Sequence, residues 1–305
     1  MVCMANVLGG IEMNQLRYKI YFLLALCVLL GTSCKSSQSG PSVVGGQLTD
    51  GYPSVVKIVH LSYTKSTAED KEEESWCSAV IVSSNTLLTA SHCIVDEVYD
   101  DKETGTKKPY YFQEVQVEIN GKIYNTSKVK FNPLYVKYLH DLSDRDYYHR
   151  FDIAVVVFDF DPFKGIEPGV LEKKLPDPET PVRLVGFGPY DWNDLESSGK
   201  KATGVNRVTK NTLCPEGSLE IRTEVDKETE RTLLPVSFHG DSGSPVFIEG
   251  SLKIVGITSG PADGPEGTEY DDAIGCYAFP MLKENIEFLK SAQQELGAKF
   301  SGLDL

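Results

Sequence analysis

The stretch GDSGSP at residues 240–245 lies between Val236 and the apolar segment that begins at Val246. Its two glycines let the backbone turn sharply, which exposes the serine hydroxyl and the neighbouring amides. A serine in such a loop can act as a nucleophile. The alternative is an ordinary polar turn between two strands, and the rest of the chain has to decide between these interpretations.

A histidine stands at the end of an earlier apolar segment. Residues 86–93 read TLLTASHC, so a strand would deliver His92 to a loop edge, with Cys93 anchoring the next position. Cys77 precedes Cys93 by sixteen residues and can clamp that position. A lone histidine near a strand end is usually only a satisfied polar side chain, so its role depends on its neighbours.

An aspartate stands at the start of a third apolar segment, FDIAVVVF at residues 151–158. Burial of the Asp152 carboxylate at the mouth of such a strand is costly unless a hydrogen-bond donor pairs with it. His92 could be that donor.

The order of these residues along the chain excludes two other arrangements of serine, histidine and acid. An α/β-hydrolase needs its catalytic histidine after the nucleophile, but no histidine follows His239. It also needs a glycine two residues after the nucleophilic serine, and Ser244 occupies that position. A subtilisin-like order needs an aspartate before His92, and neither Asp50 nor Asp70 lies in a supporting motif. The order His, Asp, Ser remains.

The fold class follows from apolar segments that are short and rich in β-branched residues, as strands are. Residues 115–119 alternate apolar and polar side chains and lead into Asn120-Gly121, which predicts a hairpin. Charged insertions at 64–75, 96–110, 136–150, 189–201 and 261–272 predict surface loops. The sequence therefore predicts an all-β protein, built as two barrels or as one sandwich. The strand segments are residues 55–59, 79–82, 153–158, 182–185, 246–248 and 254–257.

One convincing helix follows Pro280 near the C-terminal end. Leu282, Ile286, Leu289 and Leu296 share one face, and Gly297 is placed to end the helix.

Five motifs in this order resemble the landmarks of the trypsin/chymotrypsin-like serine proteases, including bacterial, exported members. They are VVGG at 43–46, LTASHC at 88–93, DIAV at 152–155, GFG at 186–188 and GDSG at 240–243. The resemblance covers essentially all of residues 43–290. The resemblance implies two six-stranded antiparallel Greek-key β-barrels with a C-terminal helix. Residues 43–165 would form the first barrel, and residues 166–305 the second barrel and the helix.

The resemblance also implies a serine endopeptidase that forms an acyl-enzyme with protein or peptide substrates. Ser242 becomes nucleophilic when His92 accepts its proton, and His92 later protonates the leaving amine. Asp152 would hold the histidine tautomer, and the amides of Gly240 and Ser242 would form the oxyanion hole. The rival interpretation is a protease-like scaffold that only binds or adheres, or a zymogen that stays locked.

Activation in the resembled family pairs the aspartate before the nucleophile with a newly released α-amino group. Here the pair would be Asp241 and the amine of Val43. A simple turn-capping role is the alternative for Asp241. The resembled family commonly activates by cleavage after a basic residue, but Ser42 stands before this cleavage point. We therefore expect another protease to cut there.

The resemblance places Val236 at the base of the specificity pocket, with Ser237 beside it and walls near Gly260 and Gly275. Valine cannot neutralise a lysine or arginine, so we expect cleavage after apolar or small residues. The acidic loop 261–272 either restores a basic preference or is simply solvated.

The net charge restricts the class of partner. The formal charge of −14 disfavours nucleic acid as a partner.

The N-terminal segment predicts export. Arg17 and Lys19 precede an apolar run over residues 20–30, which predicts a signal peptide at 1–33, followed by a tether or pro-segment at 34–42. Cys34 follows a lipobox-like stretch, so membrane attachment through a lipid is an open alternative. We expect export to the periplasm, the outer membrane or the outside of the cell.

Four cysteines follow Cys34 in the chain, and this even number predicts two disulfides in an oxidising compartment. They are Cys77, Cys93, Cys214 and Cys276. No C-x-x-C spacing supports zinc, so we expect neither a metal nor a cofactor. The resemblance makes Cys214 the partner of Cys276, which leaves Cys77 and Cys93.

Overall fold

The structure is a computed structural model of the 305-residue chain. It describes residues 43–61, 74–101, 106–111, 115–119, 121–126, 128–139, 147–190, 197–226, 231–232, 234–261 and 272–303. All of them belong to one compact unit, residues 40–305. The predicted signal peptide, the tether or pro-segment, Cys34 and residues 262–271 of the acidic loop lie outside these ranges.

Strands dominate the described part of the chain, as the short apolar segments predicted. In chain order they are β1 (Gln47–Leu48), β2 (Val55–Leu61), β3 (Glu74–Ile81), β4 (Thr86–Thr89), β5 (Val95–Asp101), β6 (Thr106–Tyr111), β7 (Val115–Ile119), β8 (Lys122–Thr126), β9 (Lys128–Phe131), β10 (Ala154–Val157), β11 (Val170–Leu171), β12 (Pro181–Gly186), β13 (Ala202–Arg207), β14 (Leu219–Asp226), β15 (Arg231–Thr232), β16 (Pro245–Ile248), β17 (Lys253–Pro261) and β18 (Asp272–Ala278). The helices are α1 (Pro133–Leu139) and α2 (Lys283–Leu296), with 3-10 helices at Ser91–Cys93 and Tyr147–Phe151.

The first sheet has seven strands in the antiparallel order β8-β7-β2-β3-β4-β10-β9. The predicted hairpin is its β7–β8 pair. The strands at the two ends of this order, β8 and β9, are consecutive in the chain and separated by residue 127 alone. The Thr126 hydroxyl of β8 donates to the Val157 carbonyl of β10 at 2.6 Å, so β8 lies beside the other end of the sheet. Counting β8 and β9 as one strand gives the predicted six.

The second sheet has nine strands, of which six are long enough to form a barrel wall: β13, β12, β16, β17, β18 and β14. The other three, β1, β11 and β15, have two residues each. The outer long strands β13 and β14 are linked by Asn206, whose Nδ2 donates to the carbonyl of Arg222 at 3.1 Å. The all-β class with a C-terminal helix is confirmed. Of the short strands, β1 and β15 lie at the sheet edges, and β11 pairs in parallel with the start of β17.

Two central strands of the first sheet, β4 and β10, bring His92 and Asp152 close together. Every residue of β4 and β10 is buried, because each strand pairs on both sides and packs apolar side chains on both faces. They run antiparallel with Ala154 opposite Thr89. The end of β4, which leads to His92, therefore lies beside the start of β10, which follows Asp152.

The C-terminal helix α2 packs against strands of the first sheet and against residues 298–303, which follow the helix. Leu289 is fully buried, and Ile286 and Leu296 lie against the same apolar cluster. Burial of such a leucine contributes roughly 1.5–3 kcal/mol. Gly297 ends the helix in the left-handed region at φ +73°, as predicted. No helix in the described ranges is long and apolar enough to cross a membrane.

Two disulfides are present. Cys77 is bonded to Cys93 and Cys214 to Cys276, with Cα–Cα distances of 6.1 and 5.5 Å. The first ties β3 to the 3-10 helix that carries His92, and the second joins a loop to β18. Both pairings agree with the sequence-based prediction.

Candidate active site

His92 and Asp152 form a hydrogen-bonded pair at the end of β4. The Nδ1 of His92 lies 2.6 Å from Oδ2 of Asp152, and the His92 amide donates to Oδ1 at 3.0 Å. Asp152 is completely buried, whereas the imidazole is partly exposed. One carboxylate thus fixes both the backbone and the ring of His92.

The electrostatics of this pair favour charge separation. Burial raises the pKa of Asp152, but the charge of His92 and hydrogen bonds from His92 and Ser259 outweigh it and hold that pKa below its ordinary value. Burial lowers the pKa of His92, but the Asp152 charge and hydrogen bond raise it above its ordinary value. The imidazole is therefore prepared to accept a proton while Asp152 stays ionised.

A second donor to Asp152 was not predicted from the sequence. Ser259 of β17 donates its hydroxyl to Oδ2 at 2.5 Å, and Nδ1 of His149 lies 2.8 Å from the same hydroxyl oxygen. All three groups are buried. Neither Ser259 nor His149 lies in a recognisable motif, because their convergence depends on the two barrels packing together.

The Ser242 loop lies between Ser78 of β3 and the end of β4. Its carbonyl accepts the Ser78 amide at 2.8 Å, and the Ser78 hydroxyl donates to the Gly240 carbonyl at 2.9 Å. Gly243 is at φ +78°, and a Cβ there would lie 2.1 Å from Oγ1 of Thr89 and 2.9 Å from the amide of Ala90. Only glycine lets the serine loop approach the chain two residues before His92.

The loop geometry also leaves two amides available. Gly240 has φ +91°, which favours glycine. Within the described part of the chain, the amides of Gly240 and Ser242 donate to no protein acceptor. Such amides can bind an anionic oxygen next to Ser242.

Asp241 is buried within its own turn and between two glycines. Its carboxylate accepts the amides of Gly188 at 2.8 Å and Phe238 at 2.9 Å. A Cβ on Gly186 or Gly188 would lie 2.1 or 2.6 Å from a carboxylate oxygen, which gives the GFG motif a physical reason. Burial raises the pKa of Asp241 to about 7, although both amide hydrogen bonds lower it.

Val43 lies in the apolar interior of the second barrel. It is fully buried in a cluster with Val182, Leu184 and Tyr277. The next residue, Val44, forms a bridge with Val236. The start of the VVGG motif is thus docked in the same barrel that carries Asp241.

The predicted pocket residues fall into two places. Ser237 and Gly275 lie against Tyr277: the tyrosine hydroxyl donates to Oγ of Ser237 at 3.2 Å, and a Cβ on Gly275 would lie 2.6 Å from it. Val236 is buried directly before Ser237. Gly260 lies against His149 instead, where a Cβ would be 3.1 Å from Cε1. Tyr277, which carries no signal in the sequence, therefore lies against two of the predicted pocket residues.

The C-terminal helix holds the segment that carries Asp152. Nδ2 of Asn285 donates to the carbonyls of Arg150 and Phe279, both at 2.8 Å, and its Oδ1 accepts Nδ2 of Asn132 at 2.9 Å. Asn285 is fully buried. A polar residue on the buried side of a helix therefore links the two halves of the molecule beside the site.

One set of possible metal ligands lies close together among the described residues: Cys77, His92 and Cys93. Both sulfurs are joined in a disulfide, so neither is available as a thiolate ligand.

Comparison with known proteins identifies the class of protein that this fold and site define. The family model named Trypsin matches residues 44–278, well over half of the chain. The chain belongs to the trypsin family of chymotrypsin-like serine proteases.

Two solved structures show the same fold. One is described as HL collagenase (15% identity, TM-score 0.52), covering 86% of this chain and 99% of that one. The other is a Glu endopeptidase in complex with MPD (14% identity, TM-score 0.52), covering 85% of this chain and 99% of that one. No curated protein matches the sequence.

Proposed function

We propose that this protein is a serine endopeptidase whose catalytic residues are Ser242, His92 and Asp152. The observation that carries the proposal is the contact at 2.6 Å between His92 and the buried carboxylate of Asp152. The Ser242 loop lies against Ser78 and against the segment Thr89–Ala90, which leads directly to His92. A binding module would not require an ionised carboxylate buried behind a partly exposed imidazole, since that arrangement is costly to maintain.

The reaction begins with attack of Ser242 Oγ on the carbonyl carbon of a peptide bond. His92 takes the serine proton, and Asp152 stabilises the resulting imidazolium. The carbonyl oxygen becomes negative, and the amides of Gly240 and Ser242 donate to it, each contributing on the order of 3 kcal/mol. His92 then protonates the leaving amine, which leaves Ser242 acylated, and water attacks the ester by the same steps.

Activation would follow cleavage between Ser42 and Val43 by another protease. The new α-amino group on Val43 would pair with Asp241, which in the unprocessed chain accepts two amides and has a raised pKa. An ion pair would ionise the carboxylate and hold the turn that presents Gly240 and Ser242.

Cleavage after small or apolar residues fits the pocket. Val236 carries no charge, and the hydroxyls of Ser237 and Tyr277 are hydrogen-bonded to each other. Valine leaves the charge of a lysine or arginine side chain unpaired. A peptide-library profile of the processed protein tests this preference, and dominant cleavage after arginine or lysine would contradict it.

Export of a bacterial precursor, with or without a lipid on Cys34, would place the enzyme in the periplasm, at the outer membrane or outside the cell. The two disulfides are consistent with an oxidising compartment. N-terminal sequencing and intact mass of the exported protein tell the alternatives apart: a start at Cys34 with added acyl mass indicates a lipoprotein, and a start at Val43 indicates a processed enzyme.

Reaction with a serine-directed fluorophosphonate tests the proposed activity. Protein that starts at Val43 should be labelled on Ser242, and peptide mapping should find the adduct there. The Ser242→Ala variant should not react, while Ser244→Ala is the matched control, because Ser244 is buried in the same loop. Equal labelling of wild type and Ser242→Ala would contradict the proposal, and an unreactive wild type would favour a locked zymogen or a silent binding module.

A further inference from the structure

His149 lies outside the proposed triad but is connected to it through one side chain. It precedes Asp152 by three residues in the 3-10 helix Tyr147–Phe151. Its Nδ1 lies 2.8 Å from Oγ of Ser259, and that hydroxyl lies 2.5 Å from Oδ2 of Asp152. The same Oδ2 is 2.6 Å from Nδ1 of His92. Four side chains therefore form one continuous hydrogen-bonded row.

The direction of each hydrogen bond in the row follows from the donor inventory. An ionised carboxylate only accepts, so Ser259 gives its single hydroxyl proton to Asp152. The hydroxyl oxygen is then an acceptor, and the proton between it and His149 must sit on Nδ1 of His149. His149 donates to Ser259, Ser259 donates to Asp152, and His92 donates to Asp152 from the other side.

The surroundings make this row energetically important. His149 is 2% exposed and Ser259 6% exposed, and hydrogen bonds in such a low-dielectric interior polarise one another. Space for the ring is provided by Gly260, where a Cβ would lie 3.1 Å from Cε1 of His149. The ring also packs on Tyr148 at 4.2 Å between centroids. Its orientation toward Ser259 is fixed by these contacts.

We propose that His149 is a positioning residue, whose Nδ1 proton fixes the Ser259 hydroxyl toward Asp152 and so keeps that carboxylate aligned with His92. The inference rests on the proposed peptidase function. Without the His149 donor, the Ser259 hydroxyl can rotate away, and Asp152 loses one of the donors that support its charge. The effect should fall on kcat, because alignment of Asp152 matters when His92 becomes charged, and not on KM.

Two substitutions separate this role from simple packing. His149→Phe keeps a planar ring of similar size but has no donor, whereas His149→Asn is smaller but places an amide donor near the position of Nδ1. We expect His149→Phe to lose roughly three- to tenfold in kcat, the factor that one net hydrogen bond is worth, with KM unchanged, and His149→Asn to retain most of kcat. A packing role predicts the reverse order, and that result would overturn the proposal.

A double-mutant cycle tests the route through Ser259. In the Ser259→Ala background, His149→Phe should cause no further loss of kcat, whereas independent and additive losses would overturn the inference. If the phenyl ring prevents folding, His149→Leu takes its place in both comparisons.

A proton NMR measurement keeps the inference separate from the proposed activity. The His92 Nδ1 proton, which bonds to Asp152, should move in His149→Phe and stay in place in His149→Asn, even in a wild-type protein that hydrolyses nothing. An unchanged resonance in His149→Phe would overturn the inference while leaving the peptidase proposal intact.

Discussion

The unprocessed chain should lose stability as the pH rises from about 4 to about 8, and Asp241 should be the cause. Its pKa is about 7 in the folded protein, compared with an ordinary value of 3.8. A group whose folded pKa is raised contributes its stabilisation below the unfolded pKa and loses it as the pH rises through the folded pKa. A difference of about three pKa units corresponds to about 4 kcal/mol, since one unit is worth about 1.4 kcal/mol.

Asp241→Asn removes this dependence because an amide does not titrate. The variant is also less stable at low pH, since its amide nitrogen faces an amide of Gly188 or Phe238 that the carboxylate accepted. The slope with pH, and not the level, is therefore the quantity to compare. The pKa of His92 is also raised above its ordinary value of 6.5, so its stabilising contribution is also lost as the pH rises through that raised pKa. This loss is the same in both proteins and cancels in the comparison.

Urea unfolding between pH 4 and pH 8 provides the measurement, with Ser242→Ala in both proteins to prevent self-cleavage. The parent should lose about 4 kcal/mol of unfolding free energy that the Asp241→Asn protein does not lose. Parallel curves for the two proteins would refute the reasoning. Protein that starts at Val43 should show a much smaller loss, because the new amine pairs with Asp241.

Two further predictions concern a buried acid and the pocket. Glu220→Gln should lower the free energy of unfolding in urea by roughly 3 kcal/mol, because Oε2 of Glu220 accepts the amides of residues 212, 213 and 214 and its Oε1 accepts a hydrogen bond from Nε of Arg222. A loss below about 1 kcal/mol would contradict this prediction. The control is Arg183→Gln, which breaks a more exposed ion pair with Glu249. Val236→Asp should shift peptide cleavage toward lysine and arginine by at least roughly tenfold, and an unchanged profile would place the pocket elsewhere.

The sequence was most informative where chemistry restricts a short motif. The loop around Ser242 and the strand ends at His92 and Asp152 could be predicted because each needs particular residues in a short motif. The pairing of Cys214 with Cys276 followed only from the resemblance to the family. The approach of β8 to β10 at the other end of the first sheet could not be read from the sequence, because it depends on a contact between Thr126 and Val157.

The missed residues depend on contacts between distant segments. Ser259 and His149 are 110 residues apart, and neither carries a local signal. Glu220 alternates with the inward-facing Leu219 and Ile221, which predicts an exposed side chain, yet the loop before Cys214 covers it. Two regions interpreted as surface loops contain regular structure: β5 and β6 form a hairpin within 95–111, and α1 occupies 133–139. Because both segments are rich in charged and aromatic residues, neither shows the apolar periodicity that predicts a strand or a helix.

Cooperation of Ser242, His92 and Asp152 in one step is tested most directly by kcat of protein that starts at Val43, with each residue replaced by alanine singly and all three together. If the three act as a unit, Ser242→Ala alone should lose about as much as the triple variant, and further substitutions should add almost nothing. Losses that multiply from one substitution to the next, or a Ser242→Ala protein that keeps wild-type kcat, would contradict the account.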